Sequence, residues 1–495
     1  MHRRKTRYYE YLHITKLKRT YNKKTATFTF NISYQTTPTQ RTKRTTEVAE
    51  AFGLGADQTQ RFTLYDNTEI KIRPTDIVLI TGDSGSGKSA LLKAIQTDLA
   101  TQAQDTKTLD IEPDRPIIET LGKTTTEALE ILSKVGLNDA FLFLRTYAEL
   151  SDGQKHRYQI ARLAESPTQW WLLDEFTSTL DRDTAKIVAY NLQKLARKQG
   201  KAVIAATTHN DLTADLKPNV HIHKRFGKEI TIKYHKNAKA EQCSLTKQTT
   251  IQEGTYQDYK QLSQFHYRAA RCPAPRKIFK LTRKRQTIGA IVYSYPTPFC
   301  FGRSQIYKTT NIHQLYKDVS LISRVVIHPK YRSIGLGEKL VAQTLPLAGT
   351  AHVETIAVMA KYNPFFERAG MQNIATSQPH KTVTDALDNL NILGFDPALL
   401  ASNAYTEQLN NPHIRKAVTD ILENLSKKNP AVRKQIANTK KIYPTHEEFT
   451  EKLLSLNAVQ LSAALKRLSF KAQPKAYLHW QATEQEMAKA QAKSN

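Results

Sequence analysis

Apolar positions along this chain fall into three rhythms. Alternation through Thr25-Ala26-Thr27-Phe28-Thr29-Phe30-Asn31-Ile32 predicts a strand with one buried face. Unbroken apolar runs at Ile77-Val78-Leu79-Ile80, Trp170-Trp171-Leu172-Leu173 and Ala202-Val203-Ile204-Ala205-Ala206 predict further strands, as do Ile322 to Ile327 and His352 to Val358. Helical character is expected over Ala90 to Ile95, Lys155 to Ala164 and Tyr256 to Ala269. Beyond about Lys381, Asp396-Pro397 and Asn411-Pro412 mark helix starts, and Leu453, Leu454, Leu456, Val459, Leu461, Leu465 and Leu468 trace an apolar helical face. Glu484 to Asn495 is expected to fray.

The turns between these elements carry the chemistry. Gly82-Asp83-Ser84-Gly85-Ser86-Gly87-Lys88-Ser89 stands between an apolar strand and a helix. Glycines there let backbone N–H groups wrap phosphate oxygens, with Lys88 reaching the β- and γ-phosphates and Ser89 holding Mg2+. Leu150-Ser151-Asp152-Gly153-Gln154 opens the next helix and supplies a second anion cradle through Ser151, Gly153 and Gln154. Asp174 and Glu175 close an apolar strand, Asp174 suiting Mg2+ and Glu175 the attacking water; Asp181 and His209 follow in order. Phe62 and Tyr65 lie upstream of the glycine loop, where either could stack on a base and either could equally be core.

In this order the motifs resemble the Walker A, signature, Walker B, D-loop and H-loop of the ABC ATPase family. The resemblance implies ATP and Mg2+ as ligands and a homodimer in which Ser151 and Gly153 of one chain face Lys88 of the other. Two departures stand out: the stretch between Lys88 and the signature is shorter than in most transporter cassettes of the family, and Glu112 to Glu119 contains no glutamine for its Q-loop.

A second cradle is read in Arg332-Ser333-Ile334-Gly335-Leu336-Gly337, between a strand and a helix. With the strand before it, the strand after it and Asn363 to Met371, the stretch resembles the GNAT acetyltransferases. That likeness implies acetyl-CoA held by Arg332, Ser333, Ile334, Gly335, Leu336 and Gly337. Many family members have Tyr where this chain has Phe366, so His266 and Tyr267 become the candidates for acid or base work. The F-H-Y-R segment at Phe265, the basic run after it, Gly289 to Ser294 and Ser323-Arg324 more loosely resemble the phage Mom group of DNA-modification proteins, which implies transfer to a base in DNA.

Charge widens the picture. The 495 residues hold 73 Lys and Arg against 45 Asp and Glu, a net +28. Residues 1–50 carry twelve basic side chains against three Glu, and Arg268 to Arg285 eight with no acid. Such an excess suits a polyanionic partner, DNA or RNA, with Tyr8, Tyr9, Tyr11 and Tyr21 available for stacking and Lys427, Lys428, Arg433, Lys434, Lys440 and Lys441 as a further basic group. No apolar stretch reaches eighteen residues, and mean hydropathy is −0.53, so no membrane-spanning segment is expected. Cys243, Cys272 and Cys300 have no metal or disulfide spacing, which fits a cytoplasmic protein.

The expected architecture is α/β. A basic, strand-rich part at 1–60 leads into an ABC-type P-loop ATPase at 61–235, then a linker at 236–244, an α+β GNAT-like domain at 245–376 and a helical basic region at 377–495. The expected function is ATP hydrolysis joined to acetyl-CoA-dependent modification of nucleic acid. Two alternatives stay open: a nucleic-acid clamp or remodelling ATPase with a non-catalytic second domain, and an acetyltransferase acting on protein or a small amine.

Overall fold

Strands covered on both faces read as unbroken apolar runs, and three of them form the middle of the sheet in the first half. The computed structural model describes residues 21–35, 42–54, 61–266, 272–358, 363–438 and 444–485. Tyr8, Tyr9, Tyr11, Tyr267, Lys440 and Lys441, with most of Glu484 to Asn495, therefore lie outside the described residues. The chain forms two compact units: 1–270 with 278–291 and 325–340, and 271–277 with 292–324 and 341–495.

In the first unit β1 (Thr27–Gln35) and β2 (Arg61–Lys71) pair antiparallel. A six-stranded sheet follows, from β3 (Ile77–Thr81), β4 (Ala103–Asp105), β5 (Trp170–Leu173), β6 (Ala202–Ala206), β7 (Val220–Lys224) and β8 (Ile230–Tyr234), in the order β4-β5-β6-β3-β7-β8. All pairs are parallel except β7 with β8. Its two faces are separate cores. Ile77 and Leu79 pack with helices Thr125–Lys134, Asp152–Glu165 and Arg182–Gln199, whereas Val78 and Ile80 pack with helix Lys88–Leu99 and with Phe28, Phe30 and Ile32 of β1. β3 lies inside the sheet, so its carboxyl end opens between β6 and β7, where doubly wound sheets place ligands.

The remaining strands are β9 (Thr249–Glu253), β10 (Pro275–Arg283), β11 (Gln286–Ser294), β12 (Val319–Ile327), β13 (His352–Ala357), β14 (Gln372–Ser377) and β15 (Lys475–Gln481), in the order β14-β15-β13-β12-β11-β10-β9. The turn between β10 and β11 is Lys284-Arg285, both at positive φ (48° and 65°), the backbone of a type I′ hairpin. β12 and β13 run parallel, but their pairing covers just Val319 to Leu321 and His352 to Glu354. In the second unit, Arg303 makes two bonds of 2.6 and 2.8 Å to the buried carboxylate of Glu354, which also accepts from Tyr477 at 3.0 Å.

Several expectations need correction. The region 377–495 is not wholly helical: its helices, from Lys381–Ile392 to Ala458–Ser469, share one core, but β15 follows and pairs antiparallel with β13 and β14. The leucine face is two helices, His446–Leu454 and Ala458–Ser469, because Asn457 accepts from Gln460 N at 2.9 Å and starts a new one. Leu454 and Val459 are exposed as a result. The helix from Tyr256 stops at Leu262 and tightens into a 3-10 turn, Ser263–Phe265. Nor is 236–244 a free linker. Ala240 and Cys243 are buried, and Ser244 donates through its backbone and hydroxyl to Asp215, both at 2.7 Å.

Candidate functional site

Glycines at 82, 85 and 87 adopt φ of 142°, 77° and 99°, which side-chain-bearing residues avoid, and so curl the chain from β3 into helix Lys88–Leu99. A Cβ on Gly82 would stand 2.0 Å from the Lys224 carbonyl oxygen. Gly82→Ala is therefore expected to lose ATP binding and about 3 kcal/mol of stability, since strain and overpacking add; a thermal melt with a nucleotide titration checks it.

Lys88 is buried inside this loop and donates to the carbonyls of Gly82 (2.8 Å) and Asp83 (2.6 Å). Burial pulls its pKa down, against the pull of Asp83 and Asp174. Ser86 of the loop is buried, and Ser84 is exposed. Ser89 Oγ donates to Asp174 Oδ1 at 2.9 Å, which brings the two expected metal residues together from the ends of β3 and β5. A hydroxyl and a carboxylate are hard oxygen donors of the kind Mg2+ selects, so the residues present fit that ion. Lys107, which sequence reasoning missed, donates to Asp174 Oδ2 at 2.7 Å. Its pKa is raised by that bond.

Glu175 is exposed at φ 52°, with its N–H on Asp174 Oδ1 at 3.0 Å. Two backbone bonds tie the strand ends together: Phe176 N to Ala206 O (2.7 Å) and Thr207 N to Ile80 O (2.9 Å). His209 follows on β6, its N–H on Thr207 Oγ1 at 3.1 Å and its pKa lowered by burial and by Arg182.

The turn after Glu175 rests on a residue not singled out in advance. Thr177, at φ 64°, donates its N–H to His156 Nε2 at 3.2 Å. Burial, with Arg157 beside it, pushes the His156 pKa down to about 4. A folded-state value below the unfolded one, about 6.5, means that the native state binds fewer protons. Stability from this contact is complete above about 6.5 and falls as pH drops toward 4. His156→Gln should flatten that part of a melting-temperature profile.

In the signature segment, Gln154 Oε1 accepts from Ser151 N at 3.0 Å, a helix-capping contact, and a Cβ on Gly153 would meet Leu180 at 3.1 Å. Asp181 caps helix Arg182–Gln199, accepting from Asp183 N (3.1 Å) and Thr184 N (3.3 Å), and takes Lys330 Nζ at 2.7 Å. Burial would raise its pKa, but Lys330 and Thr184 hold it at about 2. Asp183 receives Arg283 at 2.6 and 2.9 Å and the Tyr331 hydroxyl at 3.0 Å.

The second expected cradle is part of the same unit. Ser333 and Gly335 have φ of 69° and 82°, and helix Leu336–Thr344 begins at once, its first bond running from Lys339 N to Gly335 O (3.0 Å). Ile334 and Leu336 are buried, Gly335 is exposed and Gly337 is half-buried at the helix start, so backbone N–H groups are what this turn can offer. The side chains of Arg332 and Ser333 are engaged elsewhere: Arg332 donates to Ile327 O (2.9 Å) and Asn138 O (2.7 Å), and Ser333 Oγ accepts from Asn191 at 2.9 Å. His266 ends the 3-10 turn whose Phe265 carbonyl accepts from Arg332 at 3.3 Å. Phe366 is buried and stacked on Phe365 at 4.1 Å.

One aromatic reading is decided and two surface readings change. Tyr65 is buried, its hydroxyl on Gly87 O at 3.2 Å, so it supports the loop from below, while Phe62 is exposed and stacks on Tyr34. Tyr21 stacks on Phe28 at 4.2 Å and is not a free ring. Within the basic run, three cations on β10 have partners, Lys280 on Asp258 (3.1 Å), Arg283 on Asp183 and Arg276 on the Tyr316 carbonyl (2.5 Å), while Lys284 and Arg285 at the turn are exposed and Arg268 and Arg271 lie outside the described residues.

Glycine loops of this build at the carboxyl edge of a parallel sheet define the P-loop nucleoside triphosphatases. Residues 61–107 match the family model described as the P-loop containing region of AAA domain. The methionine import ATP-binding protein MetN of Streptomyces coelicolor is 28% identical over 199 residues, 31% of this chain and 56% of that protein, so the chain spans little more than half of that relative. The cytochrome c biogenesis ATP-binding export protein CcmA of Ruegeria pomeroyi is 30% identical over 171 residues, 31% of this chain and 80% of that protein. A solved dimeric ATP-binding cassette in a post-hydrolysis state bound to ADP and Pi aligns with a TM-score of 0.29 and 19% identity, over 35% of this chain and 92% of that one. Through the domain that carries these motifs, the chain belongs to the ABC-type ATPases. Among the described residues no helix is long and apolar enough to cross a membrane.

Proposed function

We propose that this chain is an ATP-hydrolysing ABC-type module that works as a homodimer and carries an acetyl-CoA-dependent, GNAT-like acyltransferase whose acceptor is a nucleic acid in the cytoplasm. The observation that carries the ATPase part is the meeting of Lys88, Ser89, Asp174 and Glu175 at one sheet edge. Lys88 gives up its loop carbonyls to bind the phosphates, Ser89 and Asp174 hold the ion, and Glu175 orients the water. Mg2+, when bound, neutralises charge on the terminal phosphates. Ser151, Gly153 and Gln154 would complete the nucleotide site of the partner, and His209 would serve the γ-phosphate.

For the transferase, the support is the turn from Arg332 to Gly337, followed by a helix N-terminus, with β12 and β13 paired over three residues each. Backbone N–H groups of Ser333 to Gly337 would hold the pyrophosphate of acetyl-CoA, with Arg332 shaping the loop from behind. His266 and Tyr267 remain the candidates for proton transfer. A nucleic-acid acceptor rests on the net charge of +28 and not on the engaged cations of the hairpin. One observation favours a second reading, a remodelling ATPase with a silent transferase domain: Phe366 is buried and has no proton to give.

Purified protein incubated with ATP, labelled acetyl-CoA and either DNA or RNA separates these readings. Label in nucleosides supports the proposal. Label in added protein or amine overturns the nucleic-acid acceptor, and nucleic-acid-stimulated ATPase without transfer supports the silent domain.

A further inference from the structure

Both oxygens of the Asp174 carboxylate are engaged, and the group on the second is a cation. Ser89 Oγ lies 2.9 Å from Oδ1 and Lys107 Nζ 2.7 Å from Oδ2. The approach is built by the fold. β4 pairs parallel with β5, Asp105 opposite Leu172, so the residues after β4 emerge on the same sheet edge as Asp174. Asp105 then fixes the turn by accepting from Lys107 N at 2.8 Å. The lysine stem is unpacked, with 59% of the side chain exposed against 11% for Asp174, so the head can leave its partner while the root stays in place.

An ammonium on Oδ2 and a divalent cation on the same carboxylate repel each other, so each weakens the other's hold on Asp174. Entry of Mg2+ with a triphosphate would remove the reason for the pair and offer a better one, since the terminal phosphates carry more charge than one carboxylate. We propose that Lys107 is a positioning residue that acts as a tethered counter-ion. It holds Asp174 neutralised in the absence of nucleotide, suppresses binding of bare metal, and passes to the triphosphate when the metal–nucleotide complex arrives. This rests on the assignment of Ser89 and Asp174 as metal-side residues.

The test uses the full chain and Mn2+ as a spectroscopic probe, followed by paramagnetic resonance without nucleotide, together with calorimetric titration of ATP in the presence of Mg2+. Lys107→Ala is expected to bind Mn2+ about tenfold more tightly than the parent and Mg2+–ATP about tenfold more weakly, the scale of one charge-assisted contact. Lys107→Arg should restore both values, which a loss of folding or of mere packing would not produce. Unchanged Mn2+ affinity in Lys107→Ala overturns the proposal. If Mn2+ binds the parent neither with nor without ATP, the metal assignment of Asp174 fails as well, so the two failures are told apart.

Discussion

Glu175→Gln is expected to bind ATP as the parent does while turnover falls by about 10²- to 10⁴-fold, the range for loss of a general base. The position is well held: the Glu175 N–H is on Asp174 Oδ1, Ser178 N donates to Glu175 O at 3.0 Å, and the side chain is exposed at the sheet edge. Glutamine keeps size and reach but has no basic oxygen pair to orient water. With ATP bound and uncleaved, the chain should also run as a dimer in light scattering with Mg2+–ATP and return to monomer without it. Hydrolysis at the parental rate would move the role of Glu175 to another group.

The second large effect is expected at Gly335. Its φ of 82° is unfavourable for any other residue, yet a Cβ there would meet nothing within 4 Å. Strain and collision are therefore separable at this position. Gly335→Ala carries the backbone penalty alone, about 1–2 kcal/mol, and should keep most of its affinity for acetyl-CoA. Gly335→Glu adds a negative charge to the proposed pyrophosphate site, and at about 4 Å that repulsion is worth about 4 kcal/mol near a protein surface, a loss of at least about a hundredfold. ATP turnover should be unchanged in both. Equal acetyl-CoA affinity in all three proteins would remove the pyrophosphate role from this turn.

Which parts of this molecule were legible in its sequence follows from the range of the interactions involved. β3, β5 and β6 could be read directly, because strands with two covered faces have no polar positions to obscure them. The glycine loop was equally open, since its positive φ angles demand those residues. Lys107 was not, because its partner is 67 residues away and reached through the pairing of β4 with β5. For the same reason Lys280 and Arg283 read as a free basic run until Asp258 and Asp183 came into place. β15 was hidden among helices, as its slot between β13 and β14 is set by residues about a hundred positions earlier in the chain. Tyr65 could be core or surface on alternation alone, and the bond to Gly87 decides it.

One titration bears on the whole account. Calorimetry of the purified chain with acetyl-CoA, with and without saturating Mg2+–ATP, should show one saturable site per chain that free CoA displaces and that Gly335→Glu loses, beside an independent site for ATP. Heat from ATP with none from acetyl-CoA would contradict a transferase on this polypeptide and leave an ATPase with a differently employed second half.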